Sequence, residues 1–380
     1  MIAQHQRGIA IAPTQREMVE WPDRGIGDGG HVGTGLRQQR NGRLITVDYH
    51  DDLKEVQGDA ALAALLDAPL ACSPFDRLAW WQGLVTQCGF FPVLAVAREG
   101  NARAALPMYR VKRRLEALGN WYNFSIRPIV SADGSGAALL TELACDLQGQ
   151  APHIILSPLP DEGGETTALA EAFRRAGWVV FREVCDTNHI LPVKGRSFAE
   201  YLASRPGTLR TTLRRKAAKV TVAIETHFNP ASWQAYETIY ANSWKPGEGN
   251  PAFLRRFAQE EGNAGRIRLG IAYAEGKPVA AQFWTVEGGT AYIHKLAHLE
   301  TAKPLSPGTT LSAALFEHVI DHDRVNLVDF GTGNDPYKRD WMEQTRARYR
   351  LEMLRPEWPG NWPRIVRIFA SHLAGKLNHR

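Results

Sequence analysis

The sequence predicts a mixed α/β (α+β) fold made from one structural unit used twice. Three observations predict it. Alternating apolar segments around Gly-containing turns read as strands. Segments with apolar residues three and four apart read as helices. The two kinds follow in one order, β-β-β-α-β-α, in two places about 180 residues apart.

Residues 1 to about 42 are rich in Gly, Gln and Arg, with GIGDGGHVGTG at their centre. They lack apolar periodicity, and a disordered leader is expected over 1–42. RLITVDYHDDL is the first strand candidate, and DAALAALLDAPL has helical spacing. SPFDRLAWWQGLV reads as a capped helix with Pro74 near its start. The first copy of the repeat then begins. FPVLAVAREGNARAALPMYRV gives two strands around an Asn-containing turn, and LGNWYNFSIRPIV a third extended stretch. ADGSGAALLTELACDL gives a Gly turn and a helix, HIILSPL a short buried strand, and TALAEAFRRAGW a helix. The second copy repeats the order with IRLGIAYAEGKPVAAQFWTVE, GTAYIHKLAHLE, SPGTTLSAALFEHVI, VNLVDFG and DPYKRDWMEQTR. A boundary near Leu191 to Ser197 divides the chain into an N-terminal unit over 43–192 and a C-terminal unit over 193–380. RPEWPGNWPRIVRIFASHLAGKL ends as a basic amphipathic helix with Ile365, Ile368, Phe369, His372 and Leu373 on one face. It is expected either to pack on the second unit or to meet an anionic membrane surface.

Composition narrows the class. The chain has 380 residues, 44% hydrophobic and 22% charged, as a soluble globular protein with room for two domains would. No apolar run approaches the ~18 residues of a membrane span. The apolar run near the N-terminus is too short for a secretory signal, so a cytoplasmic location is expected. Cys72, Cys88, Cys145 and Cys185 are widely spaced and form no C-x-x-C pair. They suggest neither zinc nor a disulfide framework and are expected in the core; no metal is expected. The net charge is +5, and RPGTLRTTLRRKAAKV and YRVKRRLE hold much of the excess. Such patches suit phosphate-bearing ligands, an anionic membrane or nucleic acid, or are solvated helix faces.

LSPGTTLSAALFEHVI, from Leu305 to Ile320, places a Pro-Gly turn before a helical pattern. Ser306 reads as an N-cap whose hydroxyl accepts from first-turn amides, and Pro307 suits the first helical position. Gly308 removes a side chain where free amides point outward, so the turn is a plain capped helix start or an anion site.

The ordered motifs RPGTLRTTLRRK, YANSWKPGEGNPAF, KPVAAQFWTV, YIHKLAH, LSPGTTL and VDFGTGNDPYKRDWM carry a family resemblance over roughly Val93 to Arg350. The chain resembles a tandem GNAT acyl-CoA N-acyltransferase. Its second half is closest to the bacterial branch grouped with cellulose and exopolysaccharide biosynthesis acetyltransferases, and is distantly similar to the Fem aminoacyltransferases. The resemblance implies two GNAT-like units, each a mixed, mostly antiparallel sheet flanked by helices. The first unit would be structural and shape the acceptor cleft; the second would bind acyl-CoA. The turn Ser306, Pro307, Gly308, Thr309, Thr310 would cradle the donor's pyrophosphate, although it keeps only one glycine of the family's pattern. Tyr337 matches the tyrosine that protonates the leaving thiolate, and Lys338 beside it would meet the donor's phosphates.

Acyl transfer to nitrogen needs a neutral amine, a path for its proton and a polarised carbonyl. Glu248, His294, Asp329 and Asp335 are the candidate bases. Each has a plainer reading: a solvated acid for Glu248, a core side chain for His294, a helix cap for Asp329. Lys295 could neutralise a phosphate or a carbonyl oxygen, or form a surface ion pair. Arg210, Arg214, Arg215 and Lys216 would meet phosphates, with Trp244 and Lys245 as further acceptor contacts. No Cys or Ser lies in a nucleophile motif, so direct transfer is expected.

The expected donor is acyl-CoA or acetyl-CoA. The acceptor is a small-molecule or lipid primary amine: an amino sugar of an envelope or exopolysaccharide precursor, or a sphingoid base made into ceramide. A Fem-like aminoacyl-tRNA-dependent transferase and a non-catalytic scaffold are the other readings. Peripheral contact with an anionic membrane at its inner face is expected; a nucleic-acid partner is not.

Overall fold

The structure is a computed structural model that describes residues 38–40, 43–67 and 73–377, with side chains over 45–67 and 73–371. The expected leader over 1–42 lies outside the described residues, apart from 38–40, and so does Cys72. In chain order the elements are β1 (Gln38–Arg40), β2 (Arg43–His50), α1 (Ala60–Leu66), α2 (Leu78–Cys88), β3 (Pro92–Glu99), β4 (Ala102–Val111), β5 (Arg114–Ala117) and β6 (Ile129–Val130). Then come α3 (Gly136–Asp146), β7 (His153–Leu159), α4 (Glu165–Arg175), β8 (Val179–Pro192), α5 (Phe198–Ala203), α6 (Gly207–Lys216), β9 (Thr221–Glu225), α7 (Pro230–Ala241) and α8 (Pro251–Asn263). The remainder is β10 (Ile267–Ala274), β11 (Lys277–Glu287), β12 (Thr290–His298), α9 (Pro307–Glu317), β13 (Leu327–Thr332), α10 (Pro336–Trp341), β14 (Gln344–Leu354) and α11 (Trp362–Leu377).

Two compact units result, and both are discontinuous in sequence. The first comprises Met1–Leu70, Phe90–Val184 and Tyr349–Arg380, the second Ala71–Gly89 and Cys185–Arg348. Strand pairing follows one pattern in both. In the first unit β1 to β5 pair antiparallel in sequence order, β5 pairs parallel with β7, and β7 pairs antiparallel with β14. In the second, β9 to β12 pair antiparallel in order, β12 pairs parallel with β13, and β13 pairs antiparallel with β8. Each parallel pair is bridged by a helix, α3 or α9, because parallel neighbours need a long crossover.

The hairpins of the second unit are set by turn chemistry. Glu275 and Gly276 both have positive φ, as do Gly288 and Gly289. Two such residues make the type I′ turn whose twist matches the strands it joins. Side chains then alternate across β11. Trp284 faces α9 and meets Phe316 at 5.1 Å, while Phe283 faces α7 and α8 and meets Trp233 and Phe257 at 5.3 and 5.8 Å.

Several expectations are corrected. LGNWYNFSIRPIV is not a long third strand; β5 takes that place, and only Ile129–Val130 is strand. The Asn120 side chain accepts from Tyr122 N, and Asn123 accepts from Asn120 N, so local side-chain bonds displace the ladder. The helix in DPYKRDWMEQTR stops at Trp341. Tyr201 donates to the Trp341 carbonyl, and Glu343 N bonds to Ile190 O, which draws the chain into β14. The C-terminal helix packs within the first unit, Ile365 lying against Phe181 and Leu354. His372 and Leu373 fall outside the described side chains. Cys185 is exposed, and Cys88 and Cys145 are half-buried rather than core.

Candidate active site

The site of interest lies in the second unit, where two parallel strands part. β12 and β13 pair only from Thr290/Leu327 to Tyr292/Asp329. Beyond that, β12 runs on to His298 and β13 to Thr332 without partnering each other. The β13-facing backbone groups of that part of β12 therefore have no strand partner.

The start of α9 belongs to this region. Ser306 adopts a left-handed conformation, φ 53° and ψ 47°, and its side chain caps nothing. This corrects the expected hydroxyl cap: the Oγ instead accepts a 3.0 Å bond from Lys216 Nζ. Pro307 has no N–H, and Thr310 N reaches the Ser306 carbonyl. The amides of Gly308 and Thr309 are thus the free donors of the first turn. Gln282, buried on β11, fixes this turn from below through Nε2 bonds to Gly308 O and Ser312 Oγ. A Cβ on Gly308 would stand 3.7 Å from His298 Nδ1, so backbone and imidazole are close neighbours.

A chain of contacts leads from α9 into the site. His298 lies 4.2 Å, centroid to centroid, from the half-exposed ring of Trp244. The Lys245 amine lies 5.3 Å from the Trp244 ring and 5.8 Å from that of Tyr337. Burial lowers the Lys245 pKa, against the pull of Asp335. Tyr337 hydrogen-bonds to Asp335, and burial first, then that carboxylate, raise its pKa. Its phenol therefore stays protonated at neutral pH. Lys295 Nζ lies 3.0 Å from Glu248 Oε1, with both side chains nearly buried, and Tyr236 donates to Glu248 Oε2. Burial lowers the Lys295 pKa, Glu248 opposes this, and Lys245 adds to it.

Other candidates lie elsewhere. His294 is the extra residue of a bulge in β12, since Phe283 pairs with Lys295 and Trp284 with Ile293. It is enclosed by aromatic rings, stacked 5.1 Å from Phe283, and desolvation there pushes its pKa down to about 3. Its Nε2 meets Thr285 Oγ1 at 2.8 Å, so it is a neutral core side chain. Asp329 is buried and caps no helix. It accepts from Asn188 Nδ2 at 2.6 Å and Gly331 N at 2.8 Å, and Arg348 holds Asn188 from behind. Burial raises its pKa. Lys338 is turned inward: it donates to the Thr332 carbonyl, and burial lowers its pKa to about 8. It fastens the glycine-rich loop after β13. Arg210, Arg214 and Arg215 stand exposed on α6, and of that run only Lys216 reaches the α9 turn.

His298, Gln282 and Tyr236 join the site without having been expected from their motifs. A lone glutamine in the apolar run VAAQFW was a legible sign for Gln282; nothing local marked the other two. Among the described residues no group of His, Cys, Asp and Glu could hold a metal ion.

Two free amides and a lysine at the start of a helix suit a phosphate-bearing ligand. A splayed β12–β13 pair turns backbone of β12 that β13 does not partner toward the space where a carbonyl could sit. Such a site suits acyl transfer. Residues 196–339, within the second unit, match the acetyltransferase (GNAT) domain family, so this stretch is a GNAT domain. Solved structures match across both units. A crystal structure of FemX aligns at TM-score 0.55 and 10% identity, covering 80% of this chain and 96% of its own. A conserved protein of unknown function from Bacteroides thetaiotaomicron aligns at 0.54 and 14%, covering 80% and 99%. The C-terminal domain of a putative lysylphosphatidylglycerol synthetase from Agrobacterium fabrum aligns at 0.51 and 14%, covering 80% and 92%. At these identities the likeness is one of fold. No curated protein matches the chain.

Proposed function

We propose that the protein transfers an acyl group from a coenzyme A thioester to a primary amine. The observation that carries this reading is the unbroken run of contacts from the α9 turn through His298, Trp244 and Lys245 to Tyr337. The Gly308 and Thr309 amides and Lys216 would hold the donor's pyrophosphate. The lysine offsets the glycines and the amide that this turn lacks. When bound, coenzyme A supplies the activated carbonyl. Backbone amides of β12 beyond its pairing with β13 would polarise that carbonyl as the amine nitrogen bonds to its carbon and the carbon–sulfur bond breaks. Glu248 would take the amine proton, and Tyr337 would give a proton to the departing sulfur. The products are an amide and a free thiol, and solvent restores both side chains.

The acceptor we favour is an amino sugar of an envelope or exopolysaccharide precursor that carries phosphate. Glu248 offsets Lys295 and Asp335 offsets Lys245, but the Lys245 amine lies beside Trp244, whose half-exposed ring can stack on a sugar while the amine meets its phosphate. A long-chain amine such as a sphingoid base is the second reading. The exposed apolar side chains Trp362 and Val366 on α11 favour it. The test is a mass-spectrometric turnover screen that crosses acetyl-CoA and palmitoyl-CoA with amino sugars, UDP-amino sugars and sphinganine. Product from a phosphate-bearing sugar supports the first acceptor, and product from sphinganine replaces it with the second. If no pair turns over and neither donor binds, the acyl-CoA reading falls.

A further inference from the structure

The helix α11 has two apolar sides. The inner one is occupied within the first unit: Ile365 is 2% exposed, and Arg364 donates twice at 2.9 Å to Glu352. The second side faces out. Trp362, Val366 and Phe369, at i, i+4 and i+7, are 52%, 59% and 52% exposed, and Trp358 in the preceding turn is 42% exposed. Among the described residues, eight large apolar side chains are exposed, and these four lie within twelve positions of one another.

Ile365 and Arg364 hold the helix from the other side, and the half-exposed Phe369 ring adds an edge-to-face contact with Phe181 at 5.2 Å, which leaves Trp358, Trp362 and Val366 as the most outward members of the stripe. The stripe is not large enough for a stable dimer. Its four side chains present on the order of 500 Å², where a standard interface takes about 800 Å² from each partner. Its composition suits a bilayer boundary. The two tryptophans and the phenylalanine combine apolar rings with, for tryptophan, one polar N–H, as side chains at headgroup depth do. Arg367 is exposed on the same helix and has no acidic partner among the described residues, and the whole chain carries a net charge of +5. The positive excess favours anionic lipid over a neutral apolar partner.

We infer that α11 and the turn before it dock the protein on an anionic membrane surface. Trp358, Trp362, Val366 and Phe369 enter the boundary between headgroups and acyl chains, and Arg367 reaches lipid phosphates from the helix flank. The helix lies in the plane of the surface; no described helix is long and apolar enough to cross it. This inference stands apart from the acyl-transfer reading, because vesicle binding is read without turnover.

The experiment is co-sedimentation of the full chain with vesicles of three parts phosphatidylcholine to one part phosphatidylglycerol, and with phosphatidylcholine alone. The protein is expected to pellet with the anionic vesicles. Combining Trp362→Ser, Val366→Ser and Phe369→Ser should weaken that binding at least about tenfold. Arg367→Glu should weaken binding to the anionic vesicles alone. Because the triple variant could fail to fold, the wild type gives a second readout: brominated lipid quenches its tryptophan fluorescence, and less so after Trp362→Phe. Wild type left in the supernatant, or equal binding by a folded triple variant, overturns the inference. A wild-type dimer that the triple variant converts to monomer, read by light scattering, also overturns it by assigning the stripe to a second copy.

Discussion

Tyr337 and His294 show how position within one unit gives a polar side chain its role. Both are largely buried, but Tyr337 hydrogen-bonds to a carboxylate beside Lys245, whereas His294 is enclosed by rings. Tyr337→Phe should lower kcat about a hundredfold with little change in donor KM, because it removes a proton donor and no binding contact. Unchanged turnover would remove Tyr337 from the proposed chemistry. For His294 the consequence is one of stability. Its pKa is about 3 in the folded state against 6.5 in the ordinary one, so below pH 6.5 the unfolded chain binds a proton that the folded chain refuses. Stability should therefore fall with pH between these values, by about 2 kcal/mol from this group between pH 7 and pH 5. His294→Gln keeps a polar partner for Thr285 and removes the titration. Denaturant melts at the two pH values should show a smaller difference for that variant.

At the scale of the element, the α9 turn separates two readings that sequence alone leaves open. If it is only a helix start, Gly308→Ala should be neutral or stabilising, by up to about 1 kcal/mol, since alanine is the better helix former. The contact a new Cβ would make with His298, at 3.7 Å, is an ordinary one. If it is an anion cradle, the same methyl group crowds the approach to the free amides. We expect Gly308→Ala to melt no lower than wild type and yet raise the donor KM. Lys216→Ala should raise it as well, about five- to tenfold. Melting curves and KM values for both variants decide between the readings, and an unchanged KM in both leaves the turn a cap.

For the whole molecule, the decisive feature is how the chain is divided. Ala71–Gly89 belongs to the second unit, although the first unit's strands lie on either side of it in sequence. Trp80 fits edge-on between Phe253 and Phe257, 4.9 Å from each. Arg77 is buried against Glu261 at 2.9 Å and Glu287 at 3.0 Å. A fragment of residues 185–348 without 71–89 would expose those rings and leave Glu287 without its buried arginine. Such a fragment should bind a hydrophobic dye and lack a cooperative melt, and adding a 71–89 peptide should restore one. In the full chain Arg77→Leu should cost about 3–5 kcal/mol, since it leaves buried carboxylates undercompensated. A loss below about 1 kcal/mol would mean that the surrounding arginines already suffice.

Local spacing made much of this legible. The strands around EGK, the helix after Pro307 and the repeated order of elements are written in periodicity and turn residues, which act over a few positions and need no partner. The same rules placed Tyr337 after a strand and Lys216 at the end of a basic helix. Where local side chains competed with the ladder, at Asn120 and Asn123, the periodic reading failed. What only the tertiary structure decided depends on residues far apart in the chain. It set Lys216 on Ser306, Lys295 on Glu248, and His294 among rings while its neighbour Lys295 met an acid. It also gave α2 to the second unit and α11 to the first. The physical reason is that burial and charge pairing depend on which surfaces meet, and those surfaces come together only when distant segments fold onto one another.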